Sequence, residues 1–163
     1  MATEQTMNDF SIADVITENL IQLEMKAKTK KEAIHELTRL LMINGDIEDE
    51  EVFIEDVFQR EAEGITGIGN SIAIPHGKSD SVIKTSLVVG KTTTPIEWES
   101  LDDEPVRVII LFAVKNTDAN TMHIKLLQKV AMLLADEDFI ENMLNTQTKS
   151  KMLELLSQDP LEE

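Results

Sequence analysis

The chain has 163 residues, with 15 Lys plus Arg against 31 Asp plus Glu, a formal net charge of −16, and no Cys. An acid excess of that size excludes nucleic acid and an anionic membrane surface as main partners, and with no Tyr and 4% aromatics a base-stacking platform is also excluded. Without Cys there is no disulfide framework, thiolate nucleophile, Cys-ligated zinc or iron–sulfur cluster, while 42% hydrophobic residues suffice for one packed domain.

Residues 1–10 are polar and read as a loose N-terminal segment. Glu4 and Asp9 lie there and the first basic residue is Lys26, so no signal-peptide n-region is present. Ile12, Val15 and Ile16 follow at helical spacing, then a brief apolar stretch from Leu20 to Leu23. Residues 30–44 read as a first long helix with Ile34, Leu37, Leu40 and Leu41 on one face, stopped by Gly45 as a left-handed C-cap. Residues 49–62 read as a second helix, striped by Phe53, Ile54, Val57 and Phe58.

Gly64, Gly67, Gly69 and Gly77 then place four of the six glycines in one short stretch. They flank a β-like run, Ser71-Ile72-Ala73-Ile74, that ends in Pro75-His76-Gly77. Residues 84–92 and 106–114 are strand candidates, the second apolar almost throughout, as a central strand covered on both faces should be. Ile96 and Trp98 make a small strand or a packed turn between them. After the cap-rich loop Asn116 to Asn120 the helical period returns in Leu126, Leu127, Val130, Ala131 and Leu134. Phe139, Ile140, Met143 and Leu144 form another stripe behind Asp136 as N-cap, and Met152, Leu155 and Leu156 close the chain. This order implies an α/β domain over residues 11–158, a small sheet with helices packed on it, and a short tail at 159–163. The longest apolar run, Val108 to Val114, is too short to span a bilayer, so a cytoplasmic location is expected.

With Cys absent, chemistry falls to three His, to Ser and Lys, and to the carboxylates. The histidines, His35, His76 and His123, lack the spacing of a helical metal site, and no metal is expected. His35 lies beside the stripe of the first helix and reads as solvated. His76 follows Pro75, which fixes its own φ, and precedes Gly77, which lets the backbone turn away. It is either a rigidly held reactive group at a strand end or an ordinary turn residue. His123 extends a buried helical stripe toward its rim, as a core-edge side chain or a site residue. Arg60, at the end of the second helix, either complements the macrodipole or pairs with a phosphoryl group. The run GITGIGN fits neither G-x-G-x-x-G nor G-x-x-x-x-G-K-[ST], so a nucleotide site is not indicated, though its N–H groups could approach a phosphoryl group near His76.

The segment from Arg60-Glu61-Ala62 through Thr66-Gly67-Ile68-Gly69-Asn70-Ser71-Ile72-Ala73-Ile74-Pro75-His76-Gly77 resembles the enzyme IIA domain of the fructose/mannitol class in the bacterial phosphoenolpyruvate-dependent sugar phosphotransferase system. Pro95-Ile96-Glu97-Trp98-Glu99-Ser100-Leu101-Asp102 looks like its fructose branch, and His123-Ile124-Lys125-Leu126-Leu127 continues the likeness, which covers roughly residues 12–157. Ser71 departs from the pattern, where many relatives carry Gly. The resemblance implies a mixed sheet of about five strands flanked by helices. It implies that His76 is phosphorylated on Nε2 by the phosphocarrier HPr and passes the group to a cysteine of an enzyme IIB domain. It further implies that His123 and Arg60 assist, without cofactor or metal, and that the domain works with a membrane enzyme IIC without itself entering the membrane. IIB and IIC parts are then expected outside this sequence. A regulatory enzyme IIA of the nitrogen-linked branch is the alternative, which the Trp98–Asp102 segment disfavours. The local positive potential for a phosphoryl group is expected from Arg60, His123 and N–H groups around Gly77, with the acidic excess away from the His76 mouth or at its rim.

Overall fold

The computed structural model describes residues 11–118 and 122–158. The expected loose segment 1–10, the tail 159–163 and the end of the loop before His123 lie outside the described residues.

Helix α1 (Lys30–Ile43) starts where the Thr29 hydroxyl accepts from the Glu32 N–H at 3.1 Å. It ends just before Gly45, whose φ of +83° is the left-handed turn expected of a C-terminal glycine. Helix α2 (Glu50–Glu61) is capped by Asp49, which accepts from Val52 N–H at 3.2 Å. Their buried faces are Ile34, Leu37 and Leu41, and Phe53 and Val57. His35 is exposed, as its place beside the stripe implied.

The sheet has six strands rather than about five: β1 (Ile21–Met25), β2 (Gly67–Gly69), β3 (Ile72–Ala73), β4 (His76–Ser79), β5 (Ser86–Ile96) and β6 (Val106–Lys115). The order is β1-β5-β6-β3-β2, and β4 continues the β3 edge along β6. It is mixed: β5 and β6 are antiparallel, while β1 runs parallel to β5 and both β3 and β4 run parallel to β6. Every residue of β6 from Val108 to Val114 is buried, so the longest apolar run is the central strand.

Alternation along the strands assigns the helices to faces. A Cβ on Gly90 would point into Leu37 of α1, whereas its neighbour Lys91 sends Nζ to the Leu144 carbonyl at 2.9 Å, at the end of the helix α4 (Glu137–Asn145). Thus α1 and α2 cover one face. Helices α3 (Met122–Leu134), α4 and α5 (Lys149–Leu156) complete the other side, with Leu126, Val130, Leu133, Phe139, Met143, Met152 and Leu156 buried. Leu133 takes the core place expected of Ala131, which is exposed. Asp136 caps α4 as expected, accepting from Asp138 N–H at 2.9 Å. Among the described residues no helix is long and apolar enough to cross a membrane.

Candidate phosphoryl-transfer site

His76 stands at a strand end as expected, though it opens β4 and does not close the Ile72–Ile74 run. It pairs in parallel with Phe112 of β6, whose N–H donates to the Pro75 carbonyl at 2.9 Å. The next residue does not turn the chain away, contrary to the expectation for Gly77. Gly77 stays in the ladder opposite Ala113, and a Cβ there would stand 2.6 Å from Phe53 Cε1 and 2.7 Å from Val57 Cγ2. Glycine is used here for close approach of β4 to α2. Alternation then points His76 and Lys78 to the side opposite α2's core contact.

On that side the imidazole of His76 stacks on the ring of Phe112, centroids 4.7 Å apart and planes 9° from parallel. His123, on the first turn of α3, meets His76 edge-on at 5.1 Å and 68°. The two histidines, 47 positions apart in the chain, are therefore neighbours. Arg60, from the last turn of α2, lines the same cleft of about 350 Å³. All three expected site residues thus come together. The cleft also takes Asp56 and Gln59 from α2, Glu63 just beyond it, Lys78 from β4 and Leu127 from α3.

His76 is 8% exposed. Burial lowers its pKa to about 4, helped by His123 and Arg60, opposed by the Ile74 carbonyl, and lowered further by Lys78. His123 is lowered as well, by burial, then Lys78, then Arg60. Both rings are neutral at pH 7. Nδ1 of His76 is buried and has no hydrogen-bond partner among the described residues. The carboxylates of Asp56 and Glu63 stand on the cleft wall, yet no carboxylate pairs with either imidazole among the described residues. Lys78 was missed in the sequence, although its place two residues after His76, on one strand, puts both side chains on the same face.

The glycine run is bounded by the 97–102 segment rather than open as a cradle. The Gly67 N–H donates to the Glu99 carbonyl at 3.0 Å, the Leu101 N–H donates back to the Gly67 carbonyl at 3.0 Å, and Asp102 accepts from the Asn70 N–H at 3.2 Å. Trp98, placed beyond the end of β5, donates its indole N–H to Thr66 Oγ1 at 2.9 Å. Asn70 and Ser71 have φ values of +56° and +71°. The Gly-to-Ser departure at Ser71 is therefore conformational rather than a matter of size. Among the described residues no group of three or more His, Asp or Glu is arranged to hold a metal ion.

A neutral imidazole nitrogen, buried against an aromatic ring and facing two cations, is suited to receive an anionic electrophile. The comparisons agree with that chemistry. Residues 14–159 match the family model described as "Phosphoenolpyruvate-dependent sugar phosphotransferase system, EIIA 2". The fructose-specific EIIABC component of Bacillus subtilis is 29% identical over 90% of this chain, which spans only 23% of that relative's length. Among solved structures, the nitrogen regulatory protein IIA-Ntr from Neisseria meningitidis superposes with a TM-score of 0.82 at 26% identity, covering 89% of this chain and 98% of its own. Enzyme IIA mannitol from Escherichia coli, in a complex with phosphorylated enzyme IIB mannitol, superposes with a TM-score of 0.73 at 30% identity, covering 86% of this chain and 96% of its own. The chain belongs to the EIIA type 2 family of the phosphoenolpyruvate-dependent sugar phosphotransferase system.

Proposed function

We propose that this domain carries a phosphoryl group on Nε2 of His76, receiving it from the phosphocarrier HPr and passing it to a cysteine of an enzyme IIB domain in coupled sugar uptake. The carrying observation is the His76 ring, stacked on Phe112, uncharged at neutral pH, with Nδ1 buried and His123, Arg60 and Lys78 around it. The Nε2 lone pair attacks phosphorus in line as the P–N bond to the donor histidine breaks. In the second transfer a thiolate attacks and the bond to Nε2 breaks, returning the pair to the ring. Arg60 and Lys78 face the equatorial oxygens and offset their charge in the transition state, while the uncharged His123 offers an N–H donor beside them. Residues 11–158 form the working unit, and membrane passage of the sugar belongs to a separate enzyme IIC part.

His76→Ala abolishes labelling by phosphorylated HPr, and residual labelling at another residue overturns the reading. His123→Ala leaves a folded protein whose transfer is slower by roughly tenfold to a hundredfold, measured by quenched flow; an unchanged rate removes His123 from the site.

A regulatory role in the nitrogen-linked branch is the second reading, favoured by the likeness to the Neisseria nitrogen regulatory protein at an identity close to that of the sugar-specific relatives. The 97–102 segment, which resembles the fructose branch, supports the sugar role. Transfer from the phosphorylated domain to a panel of enzyme IIB domains decides. Transfer to one of them supports sugar uptake, and stable phosphorylation with no acceptor among them supports regulation.

A further inference from the structure

Arg60 reaches the cleft without a hydrogen bond or ion pair of its own among the described residues. With no polar partner of its own, its aim depends on the backbone of the last turn of α2, and the next residue in that turn carries a buried ion pair. Glu61 is the last residue of α2, and its Oε1 lies 2.6 Å from Nζ of Lys30, the first residue of α1. The Glu61 side chain is only 4% exposed and that of Lys30 20%. The same ammonium meets Glu99 at 2.8 Å and lies 5.2 Å from the centre of the Trp98 ring, whose N–H is bonded to Thr66. One cation thus joins the start of α1, the end of α2 and the segment that bounds the glycine run.

Neither charge serves its own helix. A cation at the start of α1 and a carboxylate at the end of α2 are each opposed by the local macrodipole. Exposed pairs that support a helix have the reverse placement, as Arg60 does. Glu61 Oε2 is buried with no partner among the described residues, so the carboxylate is held out of water by its contact with Lys30.

We propose that the Lys30–Glu61 pair is a positioning device for Arg60, fixing the last turn of α2 so that the guanidinium stays at the His76–His123 cleft with its donors free for phosphoryl oxygens. Lys30 and Glu61 are positioning residues and touch no reacting atom. The purpose of the device rests on the phosphoryl-carrier reading, but its geometry does not.

Glu61→Gln is the discriminating variant. Transfer from phosphorylated HPr to His76 is expected to slow about tenfold, because a small misplacement of an aligned group is costly in rate. In an NMR titration both His76 and His123 are expected to protonate at slightly higher pH, since Arg60 adds to the lowering that burial and, respectively, His123 and Lys78 impose on them. Direct loss of a carboxylate charge moves an imidazole the other way, so the sign separates positioning from simple electrostatics. In an Arg60→Ala background Glu61→Gln changes neither readout further, and Lys30→Arg, which keeps the cation, stays close to the parent in both. Titrations that are unmoved or lowered by Glu61→Gln overturn the proposal, as does an equal slowing in the Arg60→Ala background. If Glu61→Gln does not fold, Lys30→Met with Glu61→Gln removes both charges together and is read by the same two measurements. If the parent protein takes no phosphate from HPr, the carrier reading fails while the titrations still decide the positioning role.

Discussion

His76 is uncharged for a reason that also gives it a cost. Burial against Phe112, with His123 and Arg60 beside it, holds its pKa near 4 where an unfolded histidine titrates near 6.5. As pH falls through that window the unfolded chain binds a proton that the folded ring refuses, so stability drops between about pH 6.5 and 4 and this ring's share of the loss levels off below that. The loss from this one ring is up to about 3 kcal/mol. Urea unfolding across that window is expected to show it in the parent and to show a shallower decline in His76→Ala; parallel curves contradict the burial argument. The same neutrality keeps a nucleophilic lone pair available well below pH 7. His123 adds a second uncharged ring, so the cationic part of the site reduces to Arg60 and Lys78. Lys78 escaped notice because one lysine among 15 Lys and Arg carries no pattern of its own. Its meaning comes from the period of β4, which no hydrophobic alternation announces.

At the scale of elements, what was legible followed from side chains that need burial or a cap. Helix α1 with its Gly45 stop, helix α2, the buried strand β6 and the Asp136 cap are all written in apolar spacing and cap chemistry. Three of the six strands were not. β1 was seen only as an apolar stretch, β2 is Gly-Ile-Gly, and β4 is His-Gly-Lys-Ser; each is a strand because a neighbour supplies the ladder. The candidate site was legible from the Pro75-His76-Gly77 run and its family likeness, whereas the approach of His123 to His76 joins residues 47 positions apart, which no local pattern announces. Ser71 and Gly67 test the loop between. Ser71→Val places a β-branched side chain at a φ of +71° and is expected to cost roughly 1–3 kcal/mol, while Ser71→Gly is neutral or stabilising, both read from thermal or urea midpoints. A Cβ on Gly67 would lie 2.6 Å from the Glu99 carbonyl oxygen and 2.8 Å from Ser100 Cα, backbone that cannot rotate away. Gly67→Ala is expected to cost about 1–3 kcal/mol by forcing the 97–102 segment off the glycine run.

For the whole molecule, a net charge of −16 surrounds a site that must admit a phosphoryl group. Such a field repels small phosphorylated anions and favours a partner that presents a basic face. Added salt, which shortens the screening length to about 10 Å near 0.1 M, is expected to slow transfer from a protein donor and to speed labelling by a small anionic donor such as phosphoramidate. Opposite salt trends in a stopped-flow comparison check this, and trends of the same sign refute it. The molecule also carries its own optical probe. There is one Trp and no Tyr in the chain, and that indole is packed on Lys30 and bonded to Thr66, where α1, the end of α2 and the glycine run meet. Its fluorescence is therefore free of tyrosine background and arises from one place. A phosphoryl group that pulls on Arg60 would register there as a change in emission, giving a label-free, real-time record of loading and unloading.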